Sequence, residues 1–241
     1  MRGELTTLGI KVAPSTVREI LEQAGLDPAP ERASITWADF LRSQAGALPA
    51  CDFIETVTLS GQRQYILAVI GHATRRVRVL GTTAHPSANR VIRAIKNLVM
   101  DLDDAGCRPR YLIRDRDGKF PALMDEILAE AGITTVPTGI RMSRMNSIME
   151  RWVQSCRHEL LDRCLVWNEG HRRHALRAYE RFHNQHRAHQ ALDQAAPLRP
   201  APDPITDPIT DPITDPGRIT DLNIRRRDRL GGVLHEYSHA A

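Results

Sequence analysis

From Ala50 onward the apolar positions fall into three short blocks separated by turn residues: 50–58, 64–71 (with Gln64-Tyr65-Ile66-Leu67-Ala68-Val69-Ile70) and 75–83. Gly61-Gln62 and His72-Ala73-Thr74 interrupt them, so the blocks predict an antiparallel meander of three strands. After Pro86-Ser87 the period changes. Val91, Ile92, Ile95, Leu98, Val99 and Leu102 recur at helical spacing, leave Arg90, Arg93, Lys96 and Asn97 outside, and stop at Gly106. The pattern then predicts a fourth strand over 110–114 and a helix over about 119–131 carrying Leu123, Met124, Ile127 and Leu128. Ile133-Thr134-Thr135-Val136 reads as a fifth strand, stopped by Pro137. Three antiparallel strands followed by two strands between helices is the order of a mixed α/β sheet.

Thr138 to Arg144 reads as a loop leading into another helix, which Asn146 or Ser147 can cap. On that helix Glu150, Gln154 and Arg157 are spaced i, i+4, i+7 and share a face. Trp152, Val153, Cys156, Leu160 and Leu161 point elsewhere and suit a core. A further helix over 169–187 is rich in cations, with Leu176, Tyr179 and Phe182 as its apolar side. Ahead of the sheet, residues 1–26 read as a small helical piece, in which Pro14-Ser15-Thr16 opens a helix and Gly25 closes it. Residues 27–49 read as a linker whose Thr36 caps a short helix carrying Trp37, Phe40 and Leu41. The core is therefore expected over 50–196. Beyond it, 197–223 contains DPITDPITDPITDP, where a proline every fourth residue excludes helix and ladder and predicts an extended linker. Residues 224–241 are expected to be a disordered basic tail.

Composition adds modest constraints. A chain of 241 residues can form one substantial domain with small appendages. Its formal charge of +4 and pI near 9.1 lean towards an anionic partner. Cys51, Cys107, Cys156 and Cys164 form no CxxC pair, which argues against a disulfide framework or a zinc finger and for a reducing compartment. The start MRGELTTLGIKV has no apolar signal-like run and no stretch approaches 18 apolar residues, so a cytoplasmic protein without a membrane partner is expected.

Candidate chemistry rests on three carboxylates. The run Tyr111-Leu112-Ile113 drives into Asp115, and Glu150 follows on the predicted helix. Asp52 lies inside the first predicted strand, where an aspartate is disfavoured unless it has a task. Carboxylates converging from two strands and a helix form an oxygen-rich pocket that suits two Mg²⁺ or Mn²⁺ ions better than zinc. Asp117, beside Gly118, is the rival to Asp115 and is better explained as a turn former; Glu55 is better explained as a solvated strand residue. His183, His186 and His189 lack a cysteine or carboxylate at zinc-ligand spacing.

These residues also carry a resemblance. ACDF around Asp52, RDRDGKF around Asp115, RMNSIMERWVQSCRHE around Glu150, FHNQHRAHQAL near 182–192 and the tail IRRRDRLGGVLHEY resemble the integrase core of bacterial insertion-sequence transposases. That family is related to retroviral integrases and has a ribonuclease H-like fold. The resemblance covers roughly residues 1–200 plus the tail, and implies that the strands bearing Asp52 and Asp115 lie side by side. It implies catalytic and metal-binding roles for Asp52, Asp115 and Glu150, and metal-dependent cleavage and strand transfer on DNA. DNA contacts are implied for Gln154, Arg157, Arg187, His189, Arg225, Arg226 and Arg227. Partners would be element ends and target DNA, with a homo-oligomer assembled on them, bacterial nucleoid association and no small-molecule substrate. Ala188 stands where the family pattern has proline. Residues 1–26 resemble only the last part of a helix-turn-helix, so the DNA-reading module is expected to be truncated. Two other readings stay open: an idle truncated transposase that binds DNA or a sister transposase, and a ribonuclease H-type nuclease.

Overall fold

In the computed structural model the described residues are 44, 46, 48–139, 146–200 and 224–239. The helical piece over 1–26, the Trp37 helix, most of the loop before Glu150 and the Asp-Pro-Ile-Thr repeat lie outside them. The elements run β1 (Pro49–Val57), β2 (Arg63–Gly71), β3 (Val77–Thr83), α1 (Ala88–Asp104), β4 (Tyr111–Arg114), α2 (Ala122–Glu130), β5 (Thr134–Pro137), α3 (Ser147–Cys156), α4 (Glu169–Gln185), β6 (Ile224–Arg229) and β7 (Leu234–His239).

The sheet order is β3-β2-β1-β4-β5. β1, β2 and β3 are antiparallel, whereas β4 pairs parallel to β1 and β5 parallel to β4. β2 lies second from the edge and its Ile66 to Ile70 are all buried, the continuous apolar run of a strand covered on both faces. One face packs under α1 and α2, where Cys51, Leu67, Val69, Ile95, Leu112 and Met124 form the core. Side chains alternate across a strand, so Ala50, Asp52 and Ile54 occupy the other face from Cys51. That second face is the one α3 covers, through its contacts with β1 and β2.

The meander would leave β3 with an open ladder edge, and α4 closes it with side chains. Asn184 accepts the Val77 N–H through Oδ1 at 2.9 Å and donates Nδ2–H to the Val77 carbonyl at 2.8 Å. Glu180 accepts the Val79 N–H at 3.2 Å. A polar helix side chain thus supplies what a sixth strand would have supplied.

Three differences from the sequence expectations have physical reasons. The second helix starts at Ala122 rather than 119, because 115–120 is occupied by side-chain-capped turns: the Asp117 N–H donates to Asp115 Oδ1 and the Lys119 N–H to Asp117 Oδ1. The Glu150 helix is not α-helical to Leu161: it passes at Arg157 into a π turn, Arg157–Leu161. That turn carries Glu159, which accepts the Tyr179 hydroxyl at 3.1 Å and pairs with Arg187. The third difference is the tail, which is ordered as an antiparallel hairpin over 224–239. Leu230, Gly231 and Gly232 take the positive φ values (50°, 66° and 91°) that reverse the chain. Leu234 is 2% exposed, and Glu236 binds Arg229 at 3.0 Å and approaches His186 of the segment after α4 at 3.7 Å.

Candidate active site

Parallel pairing of β1 and β4 sets the site. Ala50 is registered with Ile113 and Cys51 with Arg114, so one further step of the same register places Asp52 beside Asp115. Asp52 is half-buried and accepts the Phe53 N–H at 2.7 Å. Burial, then the Asp115 charge, push its carboxyl up to about 6, with smaller contributions from Asp117 and Glu150. Asp115 is also raised, chiefly by burial, although the Asp117 N–H, Lys119 and Arg114 oppose the shift. Asp115 makes Asp52 harder to ionise and Asp117 does the same to Asp115, so the carboxylates form a pocket of negative potential, the condition a bound cation relieves.

Glu150 stands on the first turn of α3, whose apolar side (Met149, Trp152, Cys156) is buried against the sheet. Its charge reaches Asp52. Among the described residues, however, no three His, Cys, Asp or Glu side chains are close enough together to hold a metal ion as they stand. The pair from the strands is thus brought together, and Glu150 faces it from α3 without closing on it.

Lys119 was not singled out from the sequence. It lies four residues past Asp115, at 3.0 Å from Glu55, paired with Asp117, and 5.8 and 5.2 Å from the Phe53 and Tyr65 ring centres. Glu55 is therefore an ion-pair partner rather than a merely solvated residue. The signal available in the sequence was a lysine directly after the Asp117-Gly118 turn. Arg114 braces the same loop, donating to the Asp115 carbonyl at 2.9 Å and pairing with Asp125 at 2.6 Å.

The proposed DNA contacts sit in different settings. Gln154 is exposed. Arg157 is half-buried and donates to the Glu55 carbonyl at 2.8 Å, which ties the end of α3 to β1. Arg187 is held by Glu159 and lies 3.4 Å from Ser155 Oγ. His189 stacks edge-on against His183 at 4.7 Å, and burial lowers its pKa. Arg225, Arg226 and Arg227 are exposed along β6, with Arg226 bound to Asp228 at 3.0 Å. Arg157, Arg187 and His189 thus have internal partners, whereas the β6 arginines line a solvent-facing strand.

No family model and no curated protein matches the chain by sequence. Solved structures do match by shape. One is the simian T-cell lymphotropic virus intasome in complex with PP2A regulatory subunit B56 gamma, at 12% identity over 81% of this chain and 67% of that one, with a TM-score of 0.51. Others are the catalytic core domain of BIV integrase (17% identity, 63% and 91% covered, TM-score 0.47) and that of HTLV-2 integrase in complex with magnesium (12%, 62% and 93%, 0.43). Likeness at these identities speaks for fold. The described core is a ribonuclease H-like mixed five-stranded sheet with flanking helices, shared with an intasome chain.

Proposed function

We propose that the protein is a metal-dependent polynucleotidyl transferase of the transposase and integrase type, cutting DNA and joining its ends. The observation that carries this reading is the parallel β1–β4 register, which sets Asp52 next to Asp115 and below the helix that bears Glu150. The donor set is all oxygen, which fits Mg²⁺ or Mn²⁺. Asp52 and Asp115 would hold such ions from the sheet, and Glu150 would complete the set from α3. Two bound ions would supply an activated water or 3′-hydroxyl and would neutralise charge on the leaving oxygen. The chain's own residues do the rest. The Phe53 and Asp117 amides fix the carboxylate orientations through the hydrogen bonds at Asp52 and Asp115. Lys119 holds the neighbouring Glu55 and Asp117 carboxylates and so ties the turn after Asp115 to β1.

The fold shared with a chain of the simian T-cell lymphotropic virus intasome supports the DNA partner. The insertion-sequence family, a bacterial host, assembly on paired element ends and placement in the nucleoid are parts of the same proposal. Among the described residues no helix is long and apolar enough to cross a membrane.

One observation favours an idle, DNA-binding relative instead: the described carboxylates do not stand close enough to form a cage. A single experiment separates the two. Mn²⁺-dependent nicking and strand transfer on the flanking terminal-repeat DNA is compared between the wild type and Glu150→Gln. A loss of about a thousandfold in the variant, with circular dichroism unchanged, is the expected outcome. Equal activity in both proteins would remove Glu150 from the chemistry; no activity in either, with DNA still bound, would leave the idle reading.

A further inference from the structure

A groove of about 520 Å³ lies between α1 and the strands β1, β2 and β3. The sheet supplies its floor through two cross-strand rows. Phe53 is registered with Leu67 and Leu67 with Gly81, while Glu55 is registered with Tyr65 and Tyr65 with Thr83. Partners across a ladder share a face, so both rows lie on the Cys51 side of the sheet and Asp52 lies on the other. The groove therefore shares a strand with the carboxylates but not a face.

The first row ends in a glycine. A Cβ at Gly81 would meet no atom within 4 Å, so the place of a β3 side chain is open space. The backbone does not call for glycine there, because Gly81 is not among the glycines at positive φ. A glycine inside a strand that gains nothing in conformation marks a spot where another group comes close. The wall opposite belongs to α1, whose Arg90, Arg93, Ala94 and Asn97 fall on one helix face and line the groove. Arg90, Arg93 and Asn97 are exposed, and among the described residues neither guanidinium is in an ion pair. Lys119 stands over the Tyr65 and Phe53 rings at 5.2 and 5.8 Å, but Glu55 and Asp117 take up its charge. The uncompensated charge of the groove is thus on α1, within reach of solvent, above a floor of half-buried Phe53 and Tyr65 with no side chain at Gly81.

We infer that this groove takes one unstacked nucleotide. The base lies on the apolar floor over Gly81, beside the Phe53 and Tyr65 rings, and the phosphate is bound by Arg90 and Arg93. Every base has a π face that an aromatic and apolar surface accepts, and guanidinium groups pair with phosphate oxygens through charge-assisted hydrogen bonds. The Asn97 carboxamide, with both donors and an acceptor, serves the polar edge of the base. A free nucleotide and the unpaired last nucleotide of a DNA strand present this same chemistry. The inference stands apart from the nuclease reading, because the groove lies on the face of the sheet opposite Asp52.

The test follows the fluorescence intensity of 2-aminopurine, which changes when the base leaves water for an apolar or aromatic surface. The full chain is titrated, in EDTA so that no metal-dependent cleavage intervenes, into three probes. These are 2-aminopurine deoxynucleoside 5′-monophosphate, the same nucleoside without phosphate, and a short duplex whose one unpaired 5′-phosphorylated terminal nucleotide is 2-aminopurine. The monophosphate signal should change saturably, with the nucleoside weaker by about tenfold, and Arg90→Gln and Arg93→Gln should each weaken the monophosphate by about threefold to tenfold. Gly81→Val fills the floor and should abolish the change; valine suits a strand, so circular dichroism and the melting temperature should hold. Tighter binding of the duplex than of the monophosphate assigns a strand end, and equal or weaker binding assigns the free nucleotide. No signal change with any probe, equal binding of nucleoside and monophosphate, or a change that survives Gly81→Val overturns the site. Should Gly81→Val unfold, the arginines decide, and monophosphate binding unaffected by both substitutions overturns it equally. The nicking comparison at Glu150 is read independently, so either idea can fail while the other stands.

Discussion

Burial and the Asp115 charge push the Asp52 carboxyl up to about 6 from 3.8, so without metal the fold opposes its ionisation. A folded-state pKa above the unfolded value gives stability that is fully present below about pH 4 and lost as pH rises through 6. A shift of this size corresponds to about 3 kcal/mol at most, and solvent at the half-buried site reduces it to about 2. Asp52→Asn should therefore stabilise the metal-free protein by about 2 kcal/mol in urea denaturation at pH 8, with the gain vanishing at pH 4. Mg²⁺ should then raise the melting temperature of the wild type and leave that of the variant unchanged. A variant no more stable than wild type at pH 8 would mean that burial and the Asp115 charge do not hold the Asp52 carboxyl above its ordinary value. His183 acts in the reverse sense. Its folded pKa lies near 3, so the stability it contributes is complete above about 6.5 and is lost as pH falls towards 3.

Among the elements, Asn184 shows how one side chain can finish a sheet. Asn184→Ala leaves the Val77 N–H and carbonyl without their two partners at a buried strand edge, at a cost of about 2–3 kcal/mol. Native-state hydrogen exchange at the Val77 amide should speed up more than at the β1 amides, and uniform loss of protection would instead mean global destabilisation. The sequence contained Asn184, but nothing in its spacing along α4 marked it as a partner of β3, 107 residues away. The strands themselves were legible, because Gly61, His72 to Thr74 and Pro137 punctuate apolar runs of strand length. Local patterning also gave the approximate helix starts after Pro86-Ser87 and at 169, but it did not single out Asn168, whose side chain caps α4 by accepting the His171 N–H at 2.8 Å. It could not give the π turn at Arg157, which is tied to the long-range partners Tyr179 and Arg187. Nor could it give the side-by-side placement of β1 and β4, which came from the family resemblance.

For the molecule as a whole, the C-terminal hairpin is the part that sequence reasoning misjudged. Arg225-Arg226-Arg227 reads as a DNA-contacting basic cluster on a disordered tail, and the signals for a folded hairpin are weak: one buried leucine, a Gly-Gly reversal and a single shielded carboxylate at Glu236. Ordered as β6, the three arginines are not equivalent. Arg226 is bound by Asp228, Arg227 is registered opposite Glu236, and Arg225 is registered opposite Ser238. If this strand lies on DNA, each phosphate it neutralises releases counterions, and log K against log salt steepens by about 0.9 per contact. Arg225→Ala should then lower the slope magnitude by about 1 and Arg226→Ala by less, because Asp228 already offsets that charge. Fluorescence anisotropy with a labelled duplex across a salt series measures both. Because the substitutions lie on an exposed strand, thermal melting should change little, which separates a lost contact from a lost fold. A slope unchanged even when all three arginines are replaced would place the duplex elsewhere and leave the hairpin's cationic strand without a nucleic-acid role.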